Sequence, residues 1–181
     1  MGRPVAAGAK GKRMVAGELG RMMERHALDG RVVWIGVRPG RRDPVVPVDA
    51  AWIGSDGLDG DHGRAGKRAV TLIQAEHLPV IAALLGRDAV AAGDLRRNIV
   101  ISGINLASFR KGSLRVGGAS LLVEGPCPPC SRMEETFGHG GYSAVRGHGG
   151  WYASVEMQGR VAVGDPVGIG HAVAGPDPDA G

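Results

Sequence analysis

The sequence predicts a mainly β domain with a few short helices, arranged as a barrel or folded sheet of mixed strands. Three observations carry that expectation. The chain of 181 residues contains 32 glycines, spread along its length and not gathered in one tail. Glycine distributed in this way marks tight turns and close backbone approaches. Turn signals recur every ~8–12 residues, the rhythm of hairpins rather than of βαβ units. The runs between them are short and built from Val, Ile, Leu and Ala, with aromatic residues at only 4%.

Taken in order, residues 1–13 read as a disordered basic arm. From Met14 to Asp29 the residues Val15, Leu19, Met22, Met23 and His26 share one helical face, and Gly30 supplies a stop. Arg31–Val37 and Val45–Ile53 read as strands around the turn Arg-Pro-Gly-Arg-Arg-Asp-Pro at 38–44. A loop rich in Gly and Asp, Gly54–Gly66, precedes an apolar stretch at Val70–Ile73. The clearest helix is Gln74–Leu85, closed by Gly86, and a strand at Asn98–Ser102 follows the Gly93-Asp94 turn. Leu114–Val116 and Ser120–Val123 form a hairpin around Gly117-Gly118. A short helix is expected at Ser131–Phe137 and a glycine-rich loop at Gly138–Gly150. Trp151–Met157, Val161–Val163 and Pro166–Ile169 complete about eight strands, and Ala174–Gly181 is a polar tail.

Size and charge narrow the function classes. A chain of this length holds one domain with a real core plus short extensions. Two cysteines cannot staple it as a secreted disulfide scaffold. Neither a signal-peptide run nor a transmembrane stretch is visible, so a cytoplasmic location is expected and no membrane partner. The formal net charge is +4. The basic arm lacks interleaved aromatics or a reader motif, so nucleic acid is not expected as a partner. The surplus fits a site for a phosphorylated anion.

Both cysteines lie in Gly125-Pro-Cys-Pro-Pro-Cys-Ser-Arg-Met-Glu-Glu135, between a strand and a helix. Four readings stand for this pair. A thioredoxin-type dithiol would start its helix around the first cysteine, whereas here the helix starts after the second. A zinc site needs more ligands, and His139 and His148 lack finger spacing. A buried structural thiol is the third reading. The fourth is a functional thiolate at Cys130, a metal ligand or sulfur acceptor, with Cys127 accessory. The helix start and Arg132 favour the anionic form of Cys130 over that of Cys127.

Two other constellations stand out. Gly57-Leu-Asp-Gly-Asp61-His62-Gly-Arg64 combines acid, imidazole and guanidinium in one loop, though a simple turn fits it equally. Its carboxylates are too few for a calcium loop. Arg96-Arg97-Asn98 leads into an apolar strand. Consecutive arginines there serve either as edge protection or as a bidentate grip on phosphate, with N–H groups of the 138–150 loop joining them. No Gly-x-Gly-x-x-Gly fingerprint supports a dinucleotide fold.

The ordered set of motifs resembles the MOSC domain, named for the C-terminal domain of molybdenum cofactor sulfurase. The match runs from about Gly30 to Gly170, leaving residues 1–29 as an arm with a short helix and 171–181 as a flexible tail. It rests on Gly57-Leu58-x-Gly60-Asp61-His62, on Val70-Thr71-Leu72-Ile73 with Glu76, and on Gly93-Asp94-Leu95 followed by Arg-Arg-Asn-Ile-Val. It continues through Gly103-Ile104-x-Leu106, the Pro-Cys segment, Gly147-x-Gly149-Gly150-Trp151-Tyr152 and Gly164-Asp165-x-Val167. The chain differs from many members at Arg96-Arg97, where they carry Gly-Glu, and at His148 and Ser154, where they carry arginine.

The resemblance implies a mixed β-barrel and a molybdenum cofactor. The family's Pro-Cys cysteine either ligates molybdenum or carries sulfur, and by position it is Cys130. Thr71, Arg96, Arg97, Asn98, Arg132 and Gly149 become the expected cofactor contacts, and Asp61 a carboxylate placed to orient water or substrate. Some relatives reduce N-hydroxylated bases and amidoximes, so the expected partners are a small N-hydroxylated substrate and a separate electron-donor reductase. The alternative is a sulfur carrier that forms a persulfide on Cys130 and works with donor and acceptor proteins. Other relatives are fused to a pyridoxal-phosphate desulfurase domain. This chain has no room for one, so pyridoxal phosphate is not expected in it.

Overall fold

The computed structural model describes residues 25–170, together with Glu18 and Met22. The expected helix at 14–29 therefore falls largely outside the described residues, as does the tail beyond Gly170. Among the described residues there are eleven strands, three short α-helices and two single-turn 3-10 helices.

Seven strands close into a barrel in the order β11 (Pro166–Ile169), β7 (Ser113–Val116), β8 (Ala119–Pro126), β9 (Trp151–Met157), β5 (Val70–Gln74), β6 (Ile99–Ser102) and β1 (Gly30–Val37), and β2 (Val46–Val48) extends the sheet beyond β1. Strand β1 (Gly30–Val37) makes the closure by dividing its length. Its first residues pair with β11 (Pro166–Ile169) and its last with β2 (Val46–Val48). A register irregularity between Val32 and Trp34, on its β6 side (Ile99–Ser102), accompanies that change of partner. All pairings are antiparallel except β5 (Val70–Gln74) with β6. A small second sheet joins β10 (Gly159–Ala162), β3 (Ala50–Gly54) and β4 (Gly57–Leu58).

The parallel pair positions the site because it is buried on both faces, as helix-covered strands are. Leu72, Ile99 and Ile101 point into the barrel core, while Ile73 and Val100 belong to a second core outside it. That outer core is capped by helix α1 (His77–Leu84), helix α2 (Ser131–Phe137) and helix α3 (Gly141–Val145) through Ile81, Met133, Phe137 and Val145. Full burial of each such side chain stabilises the fold by about 2 kcal/mol.

Three local expectations are corrected. The run Val45–Ile53 is two strands in different sheets, because the chain bends at Asp49, whose carbonyl accepts from Val163 N–H. The helix expected from Gln74 begins at His77, since Gln74 ends β5 and its buried side chain accepts from Leu106 N–H. The loop 138–150 contains α3, whose first turn is capped by Glu134 accepting from Gly140 N–H at 2.8 Å and Tyr142 N–H at 2.7 Å.

Candidate functional site

The long strand β8 (Ala119–Pro126) runs antiparallel to β9 (Trp151–Met157) and delivers the Pro-Cys segment to the end of the barrel. Cys127 N–H continues the ladder by donating to the Gly150 carbonyl at 2.8 Å. Gly150 is required there. Its φ is +88°, and a Cβ would lie 2.1 Å from the Leu72 carbonyl oxygen. Pro128 and Pro129 then carry the chain outward to Cys130, which takes an extended conformation as the N-cap of α2 and accepts from Met133 N–H at 2.9 Å.

The two thiols end in different environments. Cys127 is buried and Cys130 exposed, and both are free. Burial pushes the Cys127 thiol up, against the lowering pull of Arg97 and Arg68. Both cysteines line a cavity of about 370 Å³ with Thr71, Leu95, Met133 and the two intervening prolines. Five guanidiniums complete its wall: Arg38, Arg68, Arg96, Arg97 and Arg132. No carboxylate lines it.

Each arginine is held by a specific contact or by its place in the wall. Arg38 grips Asp61 through Nη2 at 2.7 Å and Nε at 3.0 Å, and its backbone N–H donates to the same carboxylate at 2.6 Å. Burial acts to raise the Asp61 carboxyl, but the Arg38 bonds and charge outweigh it and hold it below the usual carboxylate range. Arg97 donates through Nε to the Gly149 carbonyl. Arg96 adopts a left-handed conformation (φ 56°) and reaches back to the Asp43 and Arg41 carbonyls at 2.8 and 2.9 Å. The Arg68 guanidinium stacks over the Tyr152 ring, 4.4 Å from its centroid. Among the described residues no carboxylate pairs with Arg68, Arg96, Arg97 or Arg132. Arg97 is pushed down from its ordinary value first by burial, with the neighbouring Cys127 and Cys130 thiols acting in the opposite direction.

Of the residues singled out from sequence, Thr71, Arg96, Arg97, Cys130 and Arg132 line the cavity. Three others stand behind it. Asn98 is buried and clasps neighbouring backbone: its Oδ1 accepts from Thr71 N–H at 3.1 Å and from the Thr71 hydroxyl at 2.7 Å, and its amide donates to the Gly36 carbonyl. Gly149 presents a carbonyl, not an N–H, to Arg97. Asp61 turns its carboxylate to Arg38, its side chain only 1% exposed. Arg38 and Arg68 escaped the sequence reading. Each stands singly beside a strand, and only the fold brings them to the thiols. The zinc reading finds no ligand set, since no group of three or more His, Cys, Asp or Glu converges among the described residues.

Comparison with known proteins places this architecture. A family model described as the MOSC domain matches residues 59–168, more than half of the chain. The chain belongs to the MOSC domain family. Its matched span covers the Asp61 loop, the Arg96-Arg97-Asn98 segment and both cysteines. Several solved structures share the MOSC barrel seen here. The YuaD protein from Bacillus subtilis is 20% identical with a TM-score of 0.68, covering 77% of this chain and 94% of that one. YiiM from Geobacillus stearothermophilus is 21% identical with a TM-score of 0.65, covering 81% and 77%. YiiM from Escherichia coli is 22% identical with a TM-score of 0.62, covering 79% and 71%. Comparison with curated proteins returned no match. Among the described residues of this MOSC protein, no helix is long and apolar enough to cross a membrane.

Proposed function

We propose that this MOSC protein binds molybdenum cofactor in the cavity of Cys127 and Cys130 and serves the two-electron reduction of an N–O bond in a small N-hydroxylated substrate. One observation carries the reading: an exposed thiol, Cys130, shares a cavity with five guanidiniums and no carboxylate. The donor set fits the group. A single soft thiolate suits molybdenum, and planar guanidiniums suit the phosphate of a pterin. When bound, the cofactor supplies the redox chemistry.

The chain's own residues bind and orient. Cys130 offers its Sγ at the cavity mouth, fixed by the prolines before it and by its N-cap position. Arg96, Arg97 and Arg132 are the phosphate contacts. Arg97 is already braced by Gly149, so its remaining N–H groups are preorganised for the anion. Asp61 acts through Arg38, holding that guanidinium in place, and does not itself touch the substrate. Leu95 and Met133 exclude water from the inner wall. Reduction of R–NHOH to R–NH₂ breaks the N–O bond, consumes two electrons and two protons, and releases water. The electrons come from a separate reductase, and exposed Cys130 keeps the site open to the surface.

The test is to purify the protein from a cofactor-proficient host and measure molybdenum and pterin in wild type, Cys130→Ala and Cys127→Ala. Both components should accompany wild type, largely survive Cys127→Ala and leave with Cys130→Ala. Folded wild type with neither component overturns the reading. Sulfane sulfur on Cys130 after incubation with a cysteine desulfurase, in that metal-free protein, would establish the sulfur carrier in its place.

A further inference from the structure

A second cleft, of about 730 Å³, adjoins the thiol cavity and is twice its size. Arg38 and Arg68 line both. Arg41, His62, Arg64 and Lys67 complete its polar wall, again without a carboxylate. This is where the His62 and Arg64 of the Gly/Asp-rich loop come to lie. The loop is therefore more than a turn: folding sets His62 and Arg64 in the same cleft wall as Arg38 and Arg41, which follow the end of β1.

We infer that this cleft is a phosphate subsite for the substrate, so that the molecule reduced at the cavity is a phosphorylated, nucleotide-sized N-hydroxylated compound. The inference rests on the cofactor reading above and names its substrate class. Three features argue it. First, five permanent cations (Arg38, Arg41, Arg64, Lys67 and Arg68) line one concave surface on which only Arg38 has a carboxylate partner, Asp61 behind the wall, and such walls concentrate an anion of matching charge. Second, the two guanidiniums at the boundary are fixed in advance, Arg38 by Asp61 and Arg68 by stacking on Tyr152. A phosphate held by them stands at the threshold of the thiol cavity, so the organic part of the same molecule can enter it. Third, the thiol cavity has its own cations in Arg96, Arg97 and Arg132, which the cleft does not share. One anion for each set accounts for both, whereas a single cofactor phosphate leaves the larger set without a ligand.

The probes are adenosine 5′-monophosphate and adenosine, titrated by calorimetry into wild type and into Arg64→Ala, Lys67→Ala and the double variant. Both side chains are exposed, and an unchanged thermal midpoint verifies the fold. The monophosphate should bind and adenosine should not. Each substitution should weaken binding about tenfold, as expected for loss of a charge-assisted contact. With an N-hydroxylated nucleotide as substrate, KM should rise by the same factor while kcat holds, and turnover of the unphosphorylated base should not change. Equal binding of monophosphate and adenosine, or of wild type and double variant, overturns the proposal. Loss of bound pterin from the double variant overturns it too, because the cleft would then hold the cofactor's phosphate. The calorimetric arm needs no cofactor, so protein that binds the monophosphate yet purifies without pterin separates failure of the reductase reading from failure of the subsite.

Discussion

Arg97 donates its Nε–H to the carbonyl of Gly149, tying the Arg-Arg-Asn segment to the glycine loop behind the wall of the thiol cavity. The next residue, Gly150, accepts from Cys127 N–H. One turn of backbone thus links the cation expected to meet the cofactor's phosphate with the segment that carries the thiols. The glycines of this loop serve backbone packing first.

That distinction predicts unequal glycines. Gly147→Ala and Gly150→Ala both place a side chain at positive φ, +86° and +88°. A Cβ at Gly147 meets nothing within 4 Å, whereas at Gly150 it would meet the Leu72 carbonyl at 2.1 Å. Gly147→Ala should cost about 1 kcal/mol from the left-handed conformation alone. Gly150→Ala should cost several times more, or fail to fold, because β5 or the Cys127 segment must move. Urea titrations of the two variants decide it, and equal midpoints would refute the argument.

The buried clasp of Asn98 gives a second expectation. Asn98→Ala leaves Thr71 N–H without an acceptor and Gly36 carbonyl without a side-chain donor. Unsatisfied buried groups cost about 1–3 kcal/mol each. A loss of ~3 kcal/mol in denaturant unfolding is expected, with Thr71 released from its place in the cavity wall. Asn98→Asp should not rescue it, because it removes the donor and buries a charge.

Much of the barrel was legible from sequence, and the misses have physical causes. β1, β5, β7 (Ser113–Val116), β8, β9 and β11 showed themselves as short apolar runs between glycine turns. The break at Asp49 did not, because a strand that passes from one sheet to another keeps its apolar pattern on both sides. Helix α3 was hidden because its start is satisfied from outside by Glu134, six and eight residues earlier than its partners Gly140 and Tyr142. In the site, Cys130, Thr71, Arg96, Arg97 and Arg132 were legible because they lie in motifs. Arg38 and Arg68 were not, since single arginines beside strands look like surface charge until closure of the barrel turns them toward one cavity. The pairing of Asp61 with Arg38 was hidden for the same reason, because the two lie 23 residues apart.

Asp61 carries the pH prediction. Its folded-state carboxyl lies below the usual range, which is ~4 in an unfolded chain. Such a group stabilises the fold above the unfolded value, and that contribution is lost as pH falls through the folded value. Wild type should therefore lose stability progressively below pH ~4. Asp61→Asn should be less stable by about 2 kcal/mol at pH 7 and close the gap at acid pH. Unfolding curves at both pH values test the sign. A difference that persists unchanged in acid would show that the ion pair with Arg38 is not its source.

The thiols make the last prediction. Cys130 is exposed, while Cys127 is buried with its thiol pushed up by burial. Alkylation proceeds through the thiolate and needs access, so both factors act against Cys127. In native protein near neutral pH, iodoacetamide should add one group, located by peptide mapping at Cys130. Cys130→Ala should be almost unreactive until denaturant is added, when Cys127 reacts. Across a pH series the Cys127 rate in native protein should rise only at higher pH than in denatured protein, since a raised value leaves less thiolate at any given pH. Reaction of Cys127 first would reverse the order and restore the thioredoxin-type reading, with its first cysteine as the attacking thiol.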